Sequence, residues 1–131
     1  MQRDRVAGIS VLWEDASGSA ERNLIIWLPG FTDDKESVGK NLADLAAAGY
    51  VALSFDPVDH GERSHRSTRA IMDATSGRFR SATDGKIYRH YWSILAETAE
   101  EVPLMIDWAV EQLGVAPAVV SGVNRWVVIL R

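Results

Sequence analysis

The sequence predicts an α/β fold with a parallel sheet, and two apolar runs and the segment between them support this prediction. Leu24–Leu28 and Tyr50–Phe55 are almost unbroken apolar runs of strand length, rich in β-branched and aromatic residues. Runs without polar alternation are typical of strands that are buried on both faces of a parallel sheet. The segment between them has helical periodicity, so the three together predict a right-handed βαβ unit.

Length, charge and composition exclude several classes of protein. The 131 residues are enough for one domain and few for two, so residues 1–131 are interpreted as a single domain. The net charge of −4 gives no reason to expect a nucleic acid or a membrane as a partner. The absence of Cys excludes a disulfide scaffold and a Cys nucleophile. With no signal peptide or apolar membrane span visible, we expect a cytoplasmic protein.

The first element is predicted to be an edge hairpin. Arg5–Trp13 alternates loosely between apolar and polar residues and is interpreted as a strand. Glu14–Arg22 contains Ser-Gly-Ser and is interpreted as a turn that leads into the first apolar run. Together these segments predict an antiparallel hairpin at the edge of the sheet.

A loop and a helix follow the first apolar run. Pro29 and Gly30 end the run, because Pro has no N–H for a sheet and Gly allows a sharp exit. Residues with oxygen-bearing side chains follow, as a helix start favours: Thr32, Asp33 and Asp34. One helical stripe then comprises Val38, Leu42 and Leu45, and Gly49 stands where a C′ residue belongs.

A basic segment follows the second run. Pro57–Arg89 holds half of the 14 Lys and Arg residues, and we expect it to cross the carboxyl ends of the strands, where α/β proteins bind ligands. Its arginines either clamp an anionic substrate or form a solvated face that nearby carboxylates balance. The second interpretation is favoured, since charge runs usually lie in solvent.

The last part of the chain predicts a long helix and a third strand. Tyr91–Leu113 has the longest helical pattern, and Pro103 inside it predicts a kink or a restart near Glu100–Val102. Gly114 ends the helix, and Ala118–Val120 begins a third buried strand.

Two stretches resemble a known family. LIIWLPGFTDDKES and AAAGYVALSFDPVDHGERS are similar to the amino-terminal part of the α/β-hydrolase superfamily, in particular the dienelactone hydrolase and prolyl-oligopeptidase-like esterase group. There an apolar strand ends in a His-Gly or Pro-Gly loop, and a later strand ends in D-x-x-G-x-G. Asp56–Glu62 is the counterpart here, and the resemblance covers roughly Val6 to Pro117.

The resemblance implies a three-layer α/β-hydrolase-type parallel sheet with an amino-terminal antiparallel hairpin and without the carboxyl half. It also implies a serine hydrolase that acts on ester or peptide-like carbonyls. That family presents its nucleophile in G-x-S-x-G after the third parallel strand. Taking Gly122 as the first Gly places Asn124 at the Ser position and Trp126 at the second Gly. Asn is no hydrolytic nucleophile, and Ser121 comes too early.

The resemblance therefore implies a truncated chain that is catalytically inactive as given, because the family's Asp and His would follow the elbow and the chain ends at Arg131. A shifted reading frame near Asn124 is one hypothesis for this ending. The other is that Trp126–Leu130 is a native strand. Truncation would expose apolar edges at Val119–Val120 or Trp126–Leu130, which favours self-association.

Two further candidate sites are an oxyanion donor at Phe31 and a metal site near Asp56. The resemblance implies that the backbone N–H of Phe31 contributes to an oxyanion hole, whereas its side chain is equally consistent with a loop residue packing on the core. Carboxylates and imidazoles crowd within ten positions at Asp56, Asp59, His60, Glu62 and His65. Their spacing matches no standard zinc pattern, so no metal is expected. No nucleotide-binding motif occurs, so no cofactor is expected.

The sequence is consistent with two functions. The first is a serine esterase or peptidase-like protein, inactive as given, whose family acts on small ester-like substrates. The second is a non-catalytic α/β module that binds a small ligand or a partner chain.

Overall fold

A mixed sheet with helices on both faces forms the protein in the computed structural model, which describes residues 1–15, 22–31, 33–65, 85–116, 120–124 and 127–130. Within those ranges the strands are β1 (Gln2–Val6), β2 (Ile9–Asp15), β3 (Leu24–Trp27), β4 (Val51–Phe55), β5 (Val120–Asn124) and β6 (Val127–Leu130). The helices are α1 (Gly39–Ala47) and α2 (Gly85–Leu113). The strand order is β1-β2-β4-β3-β6-β5. The predicted α/β class is confirmed, but the sheet is mixed rather than parallel, because among the described strands only β3 and β4 pair in parallel and the other neighbours pair in antiparallel fashion.

The central pair of strands is parallel, as the βαβ pattern predicted. Leu24 of β3 is paired with Val51 of β4, and Ile26 is paired with Leu53. These side chains are buried, which explains why both strands are apolar at successive positions rather than at alternate ones. The α1 helix connects the pair and packs on one face of the sheet.

The amino-terminal hairpin is present at the sheet edge, but its bounds differ from the prediction. Ala7 and Gly8 have φ of 48° and 83° and split the predicted strand Arg5–Trp13 into β1 and β2. Two successive residues with positive φ are the geometry of a type I′ turn, which matches the twist of antiparallel strands. β2 then pairs with β4 in antiparallel fashion. Residues 16–21 of the predicted turn lie outside the described residues.

The end of α1 agrees with the predicted signal, whereas the predicted start signal caps a 3₁₀ turn that precedes the helix. Asp34 is the cap of the short 3₁₀ turn Lys35–Val38 that leads into α1, and its side chain accepts a hydrogen bond from Ser37 N at 3.1 Å. Gly49 follows the helix with φ of +97°, a conformation that Gly adopts at little cost. Thr32, which was also predicted to cap, lies outside the described residues.

The core has two parts, one on each face of the sheet. The face under α2 is formed by Val6, Val11, Leu24, Ile26, Val51, Leu53, Phe55, Met105, Ala109 and Val115. The face under α1 is formed by Leu12, Val38, Leu42 and Ala52. Helix, sheet and helix therefore make three layers, which bury the apolar stripes of both helices.

The α2 helix crosses the sheet from the carboxyl ends of β3 and β4 to their amino ends. At its middle, Thr98 contacts the turn after β4, and beyond its end Ala116 N donates to Arg22 O at 3.3 Å, just before β3. It is continuous through Pro103, so the predicted restart near Glu100–Val102 does not occur. Pro103 is exposed, and water can replace the backbone hydrogen bond that Pro removes there.

The last two strands form an antiparallel pair. Val127 of β6 is paired with Trp27 of β3 on one side and with Asn124 of β5 on the other. β5 therefore runs in the same direction as β3 and β4, but β6 separates it from β3. The predicted third strand is present from Val120 onwards, while residues 117–119 lie outside the described residues. Over the described ranges, no helix has the length and apolar character needed to cross a membrane.

Neighbouring residues on α2 provide a test of this packing. Met105→Ala should lower the free energy of unfolding by about 2–5 kcal/mol, because Met105 is fully buried against the sheet. Leu104→Ala should change it by less than about 0.5 kcal/mol, because Leu104 is 44% exposed. Urea unfolding of both variants measures the difference, and equal losses would contradict the orientation of α2.

Candidate functional site

The carboxyl ends of β3 and β4 bring two loops together. We use the name carboxyl edge for the end of the sheet at which β3 and β4 finish. Its two loops are residues 28–31 and 33–35, which follow β3, and residues 56–65, which follow β4. The α2 helix contacts the first loop through Tyr91 and the second through Thr98 and Glu101. In parallel sheets this is the end at which ligands bind, because the connections diverge there and leave a crevice.

A buried ion pair links the two loops. Lys35 Nζ donates to Asp56 Oδ2 at 2.8 Å, and Lys35 N donates to Asp56 Oδ1 at 2.8 Å. Both side chains are only 1% exposed. Asp56 thus accepts hydrogen bonds from both the backbone and the side chain of Lys35. It satisfies two donors that would otherwise be buried without an acceptor.

The turn after β4 closes around the same carboxylate. Glu62 N donates to Asp56 Oδ2 at 3.1 Å, and Glu62 Oε1 accepts from Lys35 Nζ at 2.9 Å. Gly61 has φ of +52°, and a Cβ atom at this position would overlap the carboxyl group of Asp56. Only Gly fits here, which gives a physical reason for the Gly in Asp56–Glu62.

Lys35 is held as a cation. Burial lowers its pKa, but the hydrogen bonds to Asp56 and Glu62 and the charges of both carboxylates outweigh burial. The pKa is therefore raised above the ordinary value of 10.5. An amine in this state carries its proton at neutral pH, so Lys35 does not serve as a nucleophile or as a general base.

A series of aromatic rings crosses the carboxyl edge. The ring of Phe31 packs edge-to-face on His60, with centroids 5.3 Å apart, and on Tyr91, with centroids 5.1 Å apart. Tyr91 in turn packs on Trp92 at 5.7 Å. Such contacts favour a defined ring orientation. The series leads from the buried imidazole of His60 to the indole of Trp92, which is 60% exposed.

Two polar contacts dock α2 on the turn after β4. Arg63 donates to both carboxylate oxygens of Glu101, at 2.7 and 2.6 Å, and to the backbone oxygen of Asp56 at 3.0 Å. Val58 N donates to Thr98 Oγ1 at 3.0 Å. The hydrogen bonds that Glu101 accepts from Arg63 raise the pKa of Arg63. The turn is therefore fixed from two sides, by Lys35 and by α2.

Asp59 adopts a left-handed conformation in this turn. Its φ is +59°, and His60 N donates to Pro57 O at 3.0 Å across it. The Asp59 carboxylate pairs with His65 Nε2 at 3.3 Å, and His65 is largely exposed. His60 is oriented inward, with Nδ1 2.9 Å from Val58 O. The two imidazoles thus have different surroundings.

The crowded carboxylates and imidazoles near Asp56, for which the sequence predicted no metal, do not form a cluster that could hold one among the described residues. Asp56 is engaged by Lys35 and by the backbone of Glu62, and Asp59 is engaged by His65. Over the described part of the chain, no group of three or more His, Asp or Glu residues could hold a metal ion.

Asn124 lies at the same end of the sheet as Phe31. It is the last residue of β5, and its partner Val127 is paired with Trp27, the last residue of β3. Two strand spacings separate β5 from β3, which places Asn124 about 10 Å from β3 along the edge. Ser121 lies inside β5, before this end. The proposed oxyanion loop and the elbow position therefore share one edge.

Sequence reasoning missed Lys35, Thr98 and Glu101. Lys35 and Asp56 are 21 positions apart, and Arg63 and Glu101 are 38 apart. A single Lys after two Asp residues has no pattern that distinguishes it from a solvated charge. The only available signal was a Gly-containing acidic turn directly after a buried strand.

In comparisons with known proteins, the chain matches no protein-family model, no curated protein and no solved structure.

Two glycines with positive φ test the fit around Asp56. Gly61→Ala should destabilise the protein more than Gly49→Ala, by about 1–3 kcal/mol. Both changes strain the backbone, but only the new Cβ at position 61 meets other atoms; at Gly49 nothing lies within 4 Å. Thermal and urea unfolding compare the two. If Gly49→Ala is less stable than Gly61→Ala, the close approach of position 61 to the carboxyl group of Asp56 is contradicted.

An exposed ion pair beside Lys35 predicts a pH dependence. Arg3 donates to both carboxylate oxygens of Glu36, one at 2.7 Å, and this hydrogen bond lowers the pKa of Glu36 below 4.5. The stability that ionised Glu36 contributes is present above its unfolded pKa and is lost as pH falls through the lower folded pKa. Because both side chains are about half exposed, solvent screens the pair and its contribution to stability should be small.

Glu36→Gln should therefore be less stable than the wild type at pH 7, and the gap should close as the pH falls below 4.5. In an Arg3→Gln background the same change should show little pH dependence, since the partner is gone. Urea unfolding from pH 2.5 to 7 measures both gaps, and a gap that stays constant to the lowest pH would contradict the pair.

Proposed function

We propose that the chain is an α/β-hydrolase-type scaffold of the ester- or peptide-hydrolysing kind, whose carboxyl edge receives an ester-like carbonyl, and that it is catalytically inactive as given. The observation that carries this proposal is the juxtaposition of the Phe31 loop with the Asp56–Glu62 turn at the ends of two parallel strands. The family resemblance of these same two stretches supports it.

The backbone N–H of Phe31 has the role of an oxyanion donor in this proposal. A preorganised N–H stabilises the charge that develops on a carbonyl oxygen, and it does so best where the loop cannot reorganise. The contacts of the Phe31 ring with His60 and Tyr91 and the anchoring of Lys35 meet that requirement. Packing by the side chain and donation by the backbone are thus compatible.

The residue at the elbow position accounts for the inactivity. Asn124 ends β5 at the carboxyl edge, where the family presents a Ser. An amide side chain forms no acyl-enzyme, because its nitrogen lone pair is delocalised into the carbonyl. A single oxyanion donor without a nucleophile lowers no barrier far enough for turnover.

The exposed indole of Trp92 favours a second candidate function, a non-catalytic module that binds a small ligand or a partner chain. Trp is the residue type that most often dominates binding surfaces. Trp92 lies beside Tyr91 at the carboxyl edge and is 60% exposed. Binding at this position requires no nucleophile, so the candidate is compatible with Asn124.

One pair of measurements tests both functions. The wild type and Ser121→Ala should hydrolyse p-nitrophenyl acetate no faster than buffer, since no Ser stands in an elbow. In ¹⁵N-resolved NMR spectra, p-nitroacetanilide, a slowly hydrolysed carbonyl compound, should shift the Phe31 amide. The amide of Gly49, at the opposite end of β4, serves as the control and should not move.

The outcomes separate the candidates. Turnover above the buffer rate would overturn the predicted inactivity, and turnover that Ser121→Ala retains would point to a site other than Ser121. A shift of the Trp92 indole N–H without a shift of the Phe31 amide would favour the binding module. If neither signal moves at millimolar p-nitroacetanilide, the carboxyl edge does not receive this class of ligand.

A further inference from the structure

We infer that Lys35 and Asp56 are positioning residues, whose ion pair sets the place of the Phe31 amide at the carboxyl edge. The inference rests on the proposed function, because that function gives the amide its role. The ion pair itself contacts no ligand in this proposal. It acts through the backbone of the loop that follows β3.

The connection from the ion pair to Phe31 is short and well defined. Asp56 accepts from Lys35 N at 2.8 Å, so it fixes the backbone of the loop as well as the ammonium group. Asp33 N donates to Gly30 O at 3.0 Å and closes a turn around Phe31. Phe31 therefore lies between strand β3, which the sheet holds, and Lys35, which Asp56 holds, and a shift of Lys35 displaces the amide.

The same carboxylate also fixes the surface on which Phe31 packs. Asp56 Oδ2 accepts from Glu62 N at 3.1 Å, and His60 in the same turn meets the ring of Phe31. Both sides of the Phe31–His60 contact thus depend on one side chain. Losing Asp56 should loosen the loop and the turn together.

A buried ion pair between two loops adds little net stability to a protein. Desolvation of the two charges consumes much of their attraction, and apolar side chains of similar volume often stabilise a protein as well. The charged pair also fixes the orientation of the loop, because Asp56 accepts two separate hydrogen bonds from Lys35. Such geometry holds a loop within the tolerance that a binding donor needs.

The experiment separates positioning from stability. The variants are Asp56→Asn, Lys35→Met and Glu62→Gln, and the control is Met105→Ala, which removes a core side chain that makes no hydrogen bond to the described residues of either loop. For each, NMR measures the NOEs from the Phe31 ring to His60 and Tyr91, and the affinity for p-nitroacetanilide from the shift of the Phe31 amide. Unfolding in urea identifies the variants that are folded.

Asp56→Asn and Lys35→Met should lose the NOEs and bind about tenfold more weakly or worse, since displacement of a donor by about 1 Å has effects of this size. Glu62→Gln should bind about threefold more weakly, because Glu62 is the outer partner of Lys35 and is 53% exposed. Met105→Ala should keep the NOEs and bind within about twofold of the wild type.

Retained NOEs and unchanged affinity in folded Asp56→Asn or Lys35→Met would overturn the inference. If neither of these variants folds, Glu62→Gln decides, and unchanged affinity in it overturns the inference. If the wild type shows no shift of the Phe31 amide, the proposed function fails, while the NOEs still decide whether the ion pair positions Phe31.

Discussion

The Lys35–Asp56 ion pair is the interaction on which the carboxyl edge depends. A carboxylate buried to 1% exposure must be paired and hydrogen-bonded, or its desolvation would cost several kcal/mol. Asp56 meets this requirement with donors from two loops, Lys35 and Glu62. The electrostatic need of one side chain therefore determines where both loops lie.

The packing of α2 extends this constraint to the rest of the fold. Met105 and Ala109 bury the helix on the sheet, while Glu101 holds Arg63 in the turn after β4. Tyr91, further towards the start of α2, reaches Phe31. Apolar burial provides the driving force, and the polar contacts of Thr98 and Glu101 at the middle of α2 set its register against the carboxyl edge.

The candidate site was predicted in part. The resemblance to α/β-hydrolases identified the loop of Phe31 and the turn from Asp56 to Glu62, and the structure brings them together. The resemblance offered no partner for Asp56, because Lys35 is 21 positions away and its approach depends on parallel pairing of β3 with β4. The hydrolase assignment itself remains a proposal, which the chemistry of Asn124 restricts to an inactive form.

Local rules determined the elements that depend on near neighbours. The buried runs of β3 and β4, the cap at Asp34 and the positive φ of Gly49 all follow from periodicity and backbone sterics. The tertiary structure alone decided the pairing of β6 with β3, the unbroken course of α2 through Pro103 and the burial of Lys35. These features depend on contacts between residues distant in sequence, and no local pattern encodes which distant partner will satisfy a strand edge or a buried charge.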